Sequence, residues 1–462
     1  MINKAKSIIK MPVLKIIFTL AIPVIVANLF QSIYQMTDSF WVGRLGGAAL
    51  ASVSICAPII FLAFSIGIGF AMAGSTFVAQ YFGAKNNKMV SHSAAQTILM
   101  VVFLSFIFSI LGLIFAPDIL RFMGANSEIF SNALGFLRIS FAAIIFNFFF
   151  FIFMSIMRGI GKPIIPVYVV IVTVILNFFL DPLFIFGYGR IPAMGPMGAA
   201  MATFITQALS AIIGMAILFG GKHGIHLKLA DFIPDFKFIK KAFLIGLPSS
   251  IEQSARNFAM VFVISLFTGF GTVAVASYGA ASNINQVIFM VGIGLAAANG
   301  TLVGQNIGAQ NIKEAIRISK LSAILSFSIL SFLSLIVFIF AYQFISFFIP
   351  NDPLVIDTGA RFIRTAAIGF AFVGLQMSFA NVFIAAGKTA TTMFMTIFSQ
   401  FFVLIPLAYF LSQKTILGMR GIWISFPITN VISATMAFAL YKQGSWQRKK
   451  IIEEVIIEEG IY

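Results

Sequence analysis

Polar residues along this chain are gathered into short stretches, and between them run apolar segments of 18 residues or more. An α-helix rises about 1.5 Å per residue, so some 20 apolar residues match a bilayer's hydrocarbon core of about 30 Å. The runs predict helical spans over 14–40, 50–77, 92–116, 131–156, 164–187, 196–219, 238–268, 273–302, 319–349, 360–386, 390–412 and 419–441. In lipid every backbone polar group must be satisfied within its own segment, which helices achieve. Alternating barrel strands of about ten residues do not fit the pattern. The expected fold class is therefore an all-α membrane protein with twelve transmembrane helices.

Set against each other, the runs repeat. Residues 64–88 (FSIGIGFAMAGSTFVAQYFGAKNNK) match 289–313 (FMVGIGLAAANGTLVGQNIGAQNIK) without gaps at 13 of 25 positions. The same offset, 225, pairs Pro23 with Pro248 and Gly46 with Gly271. Offsets of 223 to 226 pair Arg138 with Arg364, Gly161-Lys162 with Gly387-Lys388, and Gly198 with Gly421. Six spans per half is an even number, so the halves cross in the same sense and should be related by a pseudo-twofold axis along the membrane normal. That is the parallel-repeat plan of transporters, with a cavity between two six-helix lobes and access alternating as one rocks against the other. The expected domains are an N-terminal lobe over 1–219, a cytoplasmic linker over 220–237 rich in Gly, His and Lys, a C-terminal lobe over 238–442, and a charged tail over 443–462, expected to be helical on the cytoplasmic face.

Composition agrees: 60% of the 462 residues are hydrophobic, 10% are charged, and mean hydropathy is +1.03. The 56 Phe and 37 Gly suit membrane helices, where Gly permits close approach and Phe fills space. The net charge of +16 does not indicate a nucleic-acid partner, because the basic residues are spread thinly between spans. Placing the N-terminus in the cytoplasm puts 21 Lys/Arg on that side and at most eight on the other, so both termini are expected inside. No small-residue cleavage motif follows the first span, which is expected to be retained. Cys56 lies in an apolar helix as a buried, inert thiol. His92, His223 and His226 fall in loops without metal-ligand spacing. No catalytic nucleophile, metal cluster or phosphate loop is present, so neither an enzyme nor a cofactor is expected.

A carboxylate in hydrocarbon costs about 2.5 to 3.5 kcal/mol on insertion scales, so acids inside spans are functional candidates. Of 14 acidic residues, only Asp38, Asp181 and Glu252 lie well inside. Tyr34 is one turn from Asp38, and Asn177 is one turn from Asp181, on shared helix faces. Both aspartates lie roughly 8 to 10 Å from the nearest outer loop and Thr203 roughly 10 to 12 Å. All five can converge in the outer half of the N-terminal lobe. Two carboxylates in a low-dielectric pocket resist ionising together, so such a pair holds a proton or demands a cation. Asp38 is matched by Val263 in the second half and Asp181 by Ile405, whereas a scaffold role should recur in both. The plainer alternative is that each aspartate caps a kink, since Pro182 after Asp181 frees a backbone carbonyl. Glu252 has Arg256 at i+4, which reads as a structural ion pair, with a second cation or substrate site as the alternative. Gly67, Gly69, Gly292 and Gly294, repeated in both halves, have a packing explanation.

The strings IYQMTDSFWVGRLG, LNFFLDPLFIFGYG and GPMGAAMAT, ending the first span, ending the fifth and opening the sixth, resemble the multidrug and toxic compound extrusion (MATE) family, most closely its archaeal and DinF-like branch. The likeness extends over nearly the whole chain. It implies a prokaryotic cell-membrane antiporter, expected to be a monomer, in which entry of protons or sodium drives out small amphipathic, often cationic compounds. It implies a coupling site at Asp38 and Asp181 supported by Tyr34, Asn177 and Thr203, with a bend of the first helix near Pro23 as the switch. The branch often has a tyrosine in the fourth span where this chain has Phe136, which removes a hydroxyl. A NorM-like acid in the tenth span is absent, that span offering Gln376 and Asn381. The rivals are a lipid-linked saccharide flippase of the same superfamily, which would line its cavity with basic residues where only Arg256 lies near mid-span, and a channel or receptor, which would have no use for the unmatched acids.

Overall fold

The structure, a computed structural model, describes residues 13–447. The charged tail beyond Gln447 and the basic residues Lys4, Lys6 and Lys10 lie outside the described residues. The chain folds into helices: α1 Val13–Gly43, α2 Gly47–Ser54, α3 Ala57–Gly83, α4 Asn87–Phe122, α5 Ser127–Gly159, α6 Ile164–Phe186 and α7 Pro196–Phe219 in the first half. The second half holds α8 Phe236–Thr268, α9 Thr272–Gly308, α10 Ile312–Ile339, α11 Ala341–Phe348, α12 Pro353–Ala367, α13 Phe370–Ala385, α14 Thr389–Ile397, α15 Ile405–Gln413 and α16 Met419–Lys442.

Among the described residues ten helical stretches are long and apolar enough to cross a membrane. An eleventh is the pair α12 and α13, which meet at 46°. The twelfth, α8, is 33 residues long but carries Glu252, Gln253, Arg256 and Asn257 in one stretch, which lowers its apolarity. The twelve expected spans are thus present, in two sets of six. Several helices outrun the apolar segments: α4 has 36 residues, about 54 Å, and so extends past a core of about 30 Å.

Four of the expected spans are broken where the apolar pattern gives no warning, the ninth at Phe340 between α10 and α11. Ile55 and Cys56 interrupt the second, just before Pro58, whose missing N–H suits a helix start. Gly369 marks the bend in the tenth, where a Cβ would lie 2.7 Å from the Asn430 amide nitrogen and 2.9 Å from Pro427 Cα. In the eleventh, residues Phe398–Leu404 form a π-helix between α14 and α15.

The described residues form two compact units, Val26–Ser250 on the one hand and residues 13–25 with 251–447 on the other. The divisions fall inside α1 and α8, not in the 220–237 loop expected from sequence. Each helix changes unit two residues after its proline, Pro23 or Pro248. The repeated glycines explain how the exchanged half-helices are seated. A Cβ on Gly69 would lie 2.3 Å from the Ser250 backbone nitrogen, and one on Gly294 would lie 2.3 Å from Ile25 and 3.1 Å from the Ala21 carbonyl. Ser250 and Ile25 are themselves repeat partners, so one close approach is used twice. The matched pair Gly198 and Gly421 behaves likewise: a Cβ on either would sit 2.4 Å from a backbone carbonyl carbon, of Phe184 or of Leu411.

The linker is docked on the Val26–Ser250 unit. The Gln96 side chain on α4 donates to the carbonyls of Asp231 (2.8 Å) and Ile233 (2.7 Å) and accepts from the Asp235 N–H (2.9 Å). Asp235 accepts from the Phe238 N–H at the start of α8 and meets His92 Nε2 at 3.2 Å. Partial burial works against its charge, but the Phe238 N–H and His92 outweigh it, and the carboxyl lies below the usual aspartate value.

Candidate functional site

Three helices of the Val26–Ser250 unit build the site. On α1, Tyr34, Thr37 and Asp38 follow at helical spacing, Tyr34 and Thr37 being buried, while Ile33, Met36 and Phe40 on the other side are exposed. The helix is polar inward and apolar outward, as a membrane solvent requires. On α6, Thr173, Asn177 and Asp181 form one i, i+4 ridge, all buried, with Ile175, Phe178 and Phe179 exposed. Pro182 lacks an N–H, so the Phe178 carbonyl loses its helical donor, yet the helix continues to Phe186. On α7, Thr203, Thr206, Gln207 and Ser210 share a face.

The five residues singled out in the sequence come together. The Thr203 hydroxyl donates to Asp38 Oδ2 (3.2 Å), and Asn177 Nδ2 donates to Asp181 Oδ1 (3.1 Å). The carboxyl of Asp38 is in side-chain contact with Asp181 and Asn177. Tyr34 bonds to Thr206, whose hydroxyl also lies 2.9 Å from the Ala202 carbonyl and 3.0 Å from that of Thr203. A hydroxyl has one proton to give, so with Thr206 donating to a carbonyl, Tyr34 donates to Thr206.

Donors are then too few. Asp38 Oδ1 and Asp181 Oδ2 are buried with no hydrogen-bond partner, as are Asn177 Oδ1 and Gln207 Oε1. Buried acceptors without donors are costly, most of all on a charged group. A proton between the carboxyls, or a small cation, would satisfy these acceptors. Among the described residues no group of three or more His, Cys, Asp or Glu could hold a metal.

One turn along α1 from Asp38, Trp41 packs edge-on against Phe178 (5.7 Å) and Phe186 (6.2 Å) of α6, and the Arg44 guanidinium lies 4.7 Å from the Phe40 ring and 5.4 Å from that of Trp41. Thr206 and this aromatic end were not among the expected site residues. Thr206 was legible as the residue one turn from Thr203; nothing in the sequence pairs Trp41 with Phe178. Phe136 is buried in α5.

Glu252 and Arg256 lie in the other unit and do not join the aspartates. Arg256 Nη2 donates to Glu252 Oε1 at 2.7 Å, and the Thr396 hydroxyl bonds to the same oxygen at 3.1 Å while lying 3.3 Å from Arg256. This triangle stands just before the π-helix of the eleventh span. Pro23 is buried inside an unbroken α1.

A protein-family model, MatE, matches the chain twice, over residues 23–183 and 248–410. The chain belongs to the MatE family. The two matches begin at Pro23 and Pro248, the first marks of the internal repeat. Similar MatE relatives include "Probable multidrug resistance protein YoeA" of Bacillus subtilis, 27% identical with 93% of each chain covered. Another is "Probable multidrug resistance protein YpnP" of the same organism, 26% identical over 96% of this chain and 98% of that one. Among solved structures, one titled "Crystal structure of MATE in the bent conformation" superposes with TM-score 0.88 at 25% identity, covering 95% of this chain and 96% of the other. One titled as the outward-facing conformation of a multidrug resistance MATE family transporter superposes with TM-score 0.89 at 24% identity, over 96% and 98%. This MatE protein is accordingly a multi-pass membrane transporter and not an enzyme, and its relatives are named for multidrug resistance or export.

Proposed function

We propose that the chain is a secondary antiporter of the archaeal and DinF-like type, in which protons or sodium ions taken up at Asp38 and Asp181 drive the export of small amphipathic, cationic organic compounds. The observation that carries this is the pair of neighbouring carboxyl groups, each with a buried oxygen that lacks a hydrogen-bond partner. Occupied by a proton or cation the cluster is satisfied; empty, it is strained. Loading and unloading therefore changes which arrangement of α1, α6 and α7 is stable, which is the linkage an antiporter needs. One charge entering across 100 mV releases about 2.3 kcal/mol, a sufficient source for concentrating a solute.

Pro23 is the natural place for α1 to yield, since its missing N–H leaves the Thr19 carbonyl without a helical donor just before the helix changes unit. Tyr34, Asn177 and Thr203, joined by Thr206, hold the carboxyls in register. Glu252 and Arg256 neutralise each other and act as a structural pair, not as a second coupling site. The protein works as a monomer in the cell membrane of a prokaryote with both termini in the cytoplasm, and it needs no cofactor.

The test is efflux of a cationic dye from proteoliposomes under imposed proton or sodium gradients. Asp38→Asn and Asp181→Asn should each abolish gradient-driven efflux while the variants keep wild-type thermal stability. Full activity in both would sink the proposal. Downhill ion flux without uphill solute movement would favour a channel instead.

A further inference from the structure

The second unit has an asymmetry of its own. A cavity of about 270 Å³ opens where α12 and α16 begin, lined by Asp357, Thr358, Arg361, Arg420 and Trp423 among others. That volume is enough for a headgroup and too little for a large solute. The cavity lies at the end of the lobe opposite the helix ends and turn that carry Lys313, Lys388 and Lys442.

The charges in it do not cancel. Arg361 Nε pairs with Asp357 Oδ2 at 2.9 Å, which leaves the Arg361 Nη groups free to donate elsewhere. Arg420 makes no ion pair among the described residues, so with two guanidiniums and one carboxylate the cavity carries a net charge of one positive. The wall is finished by Trp423, which is buried. Beside the cavity the chain presents apolar side chains outward: Ile416 is fully exposed, and Leu354 is exposed at 62%. Apolar side chains turned outward beside arginines suit a loop at the level of lipid headgroups.

The repeat shows that the fold does not require this cavity. At the offset that pairs Arg138 with Arg364, Asp357 corresponds to Ser131 and Arg361 to Gly135. At the offset that pairs Gly198 with Gly421, Arg420 corresponds to Met197 and Trp423 to Ala200. In the first half this place is filled: Met197 lies so close to Gly135 that a Cβ there would come within 2.1 Å of the Met197 sulfur. The first half closes the position with a methionine on a glycine, and the second half opens it with two arginines.

We propose that the cavity binds the phosphodiester group of an anionic phospholipid. Arg420 and the unused Nη groups of Arg361 form the donor set, Thr358 adds a hydroxyl, and the exposed Ile416 and Leu354 meet the acyl region. The charge balance selects this chemistry. A phosphodiester brings one negative charge, matching the net charge of the cavity, while inorganic phosphate brings more, and a zwitterionic lipid adds a cation beside two arginines.

The experiment uses the purified full-length protein, delipidated in detergent and titrated with phosphatidylglycerol, phosphatidylcholine or inorganic phosphate, with bound lipid counted by native mass spectrometry. Arg420→Gln is compared with Arg190→Gln, an exposed arginine of the first half that does not line this cavity. The expected result is at least a fivefold loss of phosphatidylglycerol occupancy in Arg420→Gln, wild-type occupancy in Arg190→Gln, partial recovery in Arg420→Lys, and phosphatidylcholine retained weakly by all. Equal phosphatidylglycerol occupancy in Arg420→Gln and Arg190→Gln would overturn the proposal. So would displacement of the lipid by millimolar inorganic phosphate, which would make this a site for the free ion. Arg420 is exposed, and a melting curve for each variant checks that a lost lipid is not a lost fold.

Discussion

The two halves of this transporter share their glycines and prolines and differ in their buried chemistry. Asp38 of α1 stands where the second half has Val263, and Asp181 stands where it has Ile405. The helix that bears Asp181 is a plain α-helix through Pro182, whereas its counterpart widens into a π-helix just before Ile405-Pro406. Both designs must accommodate a proline inside a span. The first half places a buried carboxyl and amide there, and the second shifts its helical register and buries nothing ionisable at that point. Scaffold is what the halves hold in common, and the proposed coupling site lies where they part.

That division can be broken first at the acids. Asp181→Asn, at a fully buried position, should abolish gradient-driven efflux, the largest effect expected of any single change. The converse change, Val263→Asp, should cost about 2.5 to 3.5 kcal/mol of insertion energy and confer no transport on an Asp38→Asn background, because the second half has no Asn177 or Thr203 to receive it. Expression level and dye efflux measure both.

Scaffold substitutions should strike the halves alike. Gly198→Ala and Gly421→Ala each force a methyl to within 2.4 Å of a backbone carbon, so each should destabilise by about 1 to 3 kcal/mol and lower the melting temperature to a similar degree. Gly47→Ala, with nothing within 4 Å, is the control. Unequal losses would show that the shared glycines serve different ends.

The linker supplies a smaller effect that belongs to the first half alone. Gln96→Ala removes three hydrogen bonds to the linker backbone, at about 1 kcal/mol each at most, and should raise the rate of proteolytic cleavage between 220 and 236. Asp235 titrates below its ordinary value, so its contribution is present above that value and fades as pH falls through the lowered one. The linker should therefore resist protease equally at pH 6 and pH 8 and loosen only in strong acid, and Asp235→Asn should loosen it at neutral pH. Smallest of all, Thr206→Val leaves the Tyr34 hydroxyl without its partner and should slow transport about fivefold, roughly 1 kcal/mol.

Spans, repeat and acid pair were legible because each is written in local pattern: apolar length gives the spans, fixed offsets give the repeat, and a carboxylate in an apolar run is conspicuous. Tyr34 and Asn177 followed from helical spacing, and Thr203 from its matching depth in the sixth span. The contacts that depend on which helices become neighbours were not legible. Tyr34 bonds to Thr206 of α7, Gln96 reaches a linker 135 residues away, and α1 and α8 change unit two residues after Pro23 and Pro248. Nor does the apolar pattern carry the breaks at Cys56 and Gly369, where one residue's backbone freedom or one neighbour's closeness decides.

The most direct measurement is solute efflux from proteoliposomes with the ion gradient as sole driving force, comparing Asp38→Asn, Asp181→Asn and the paired neutralisation Glu252→Gln with Arg256→Gln. Uphill efflux should vanish in both aspartate variants and persist in the paired one. Persistence in the aspartate variants with loss in the pair would place coupling in the second half and contradict the account.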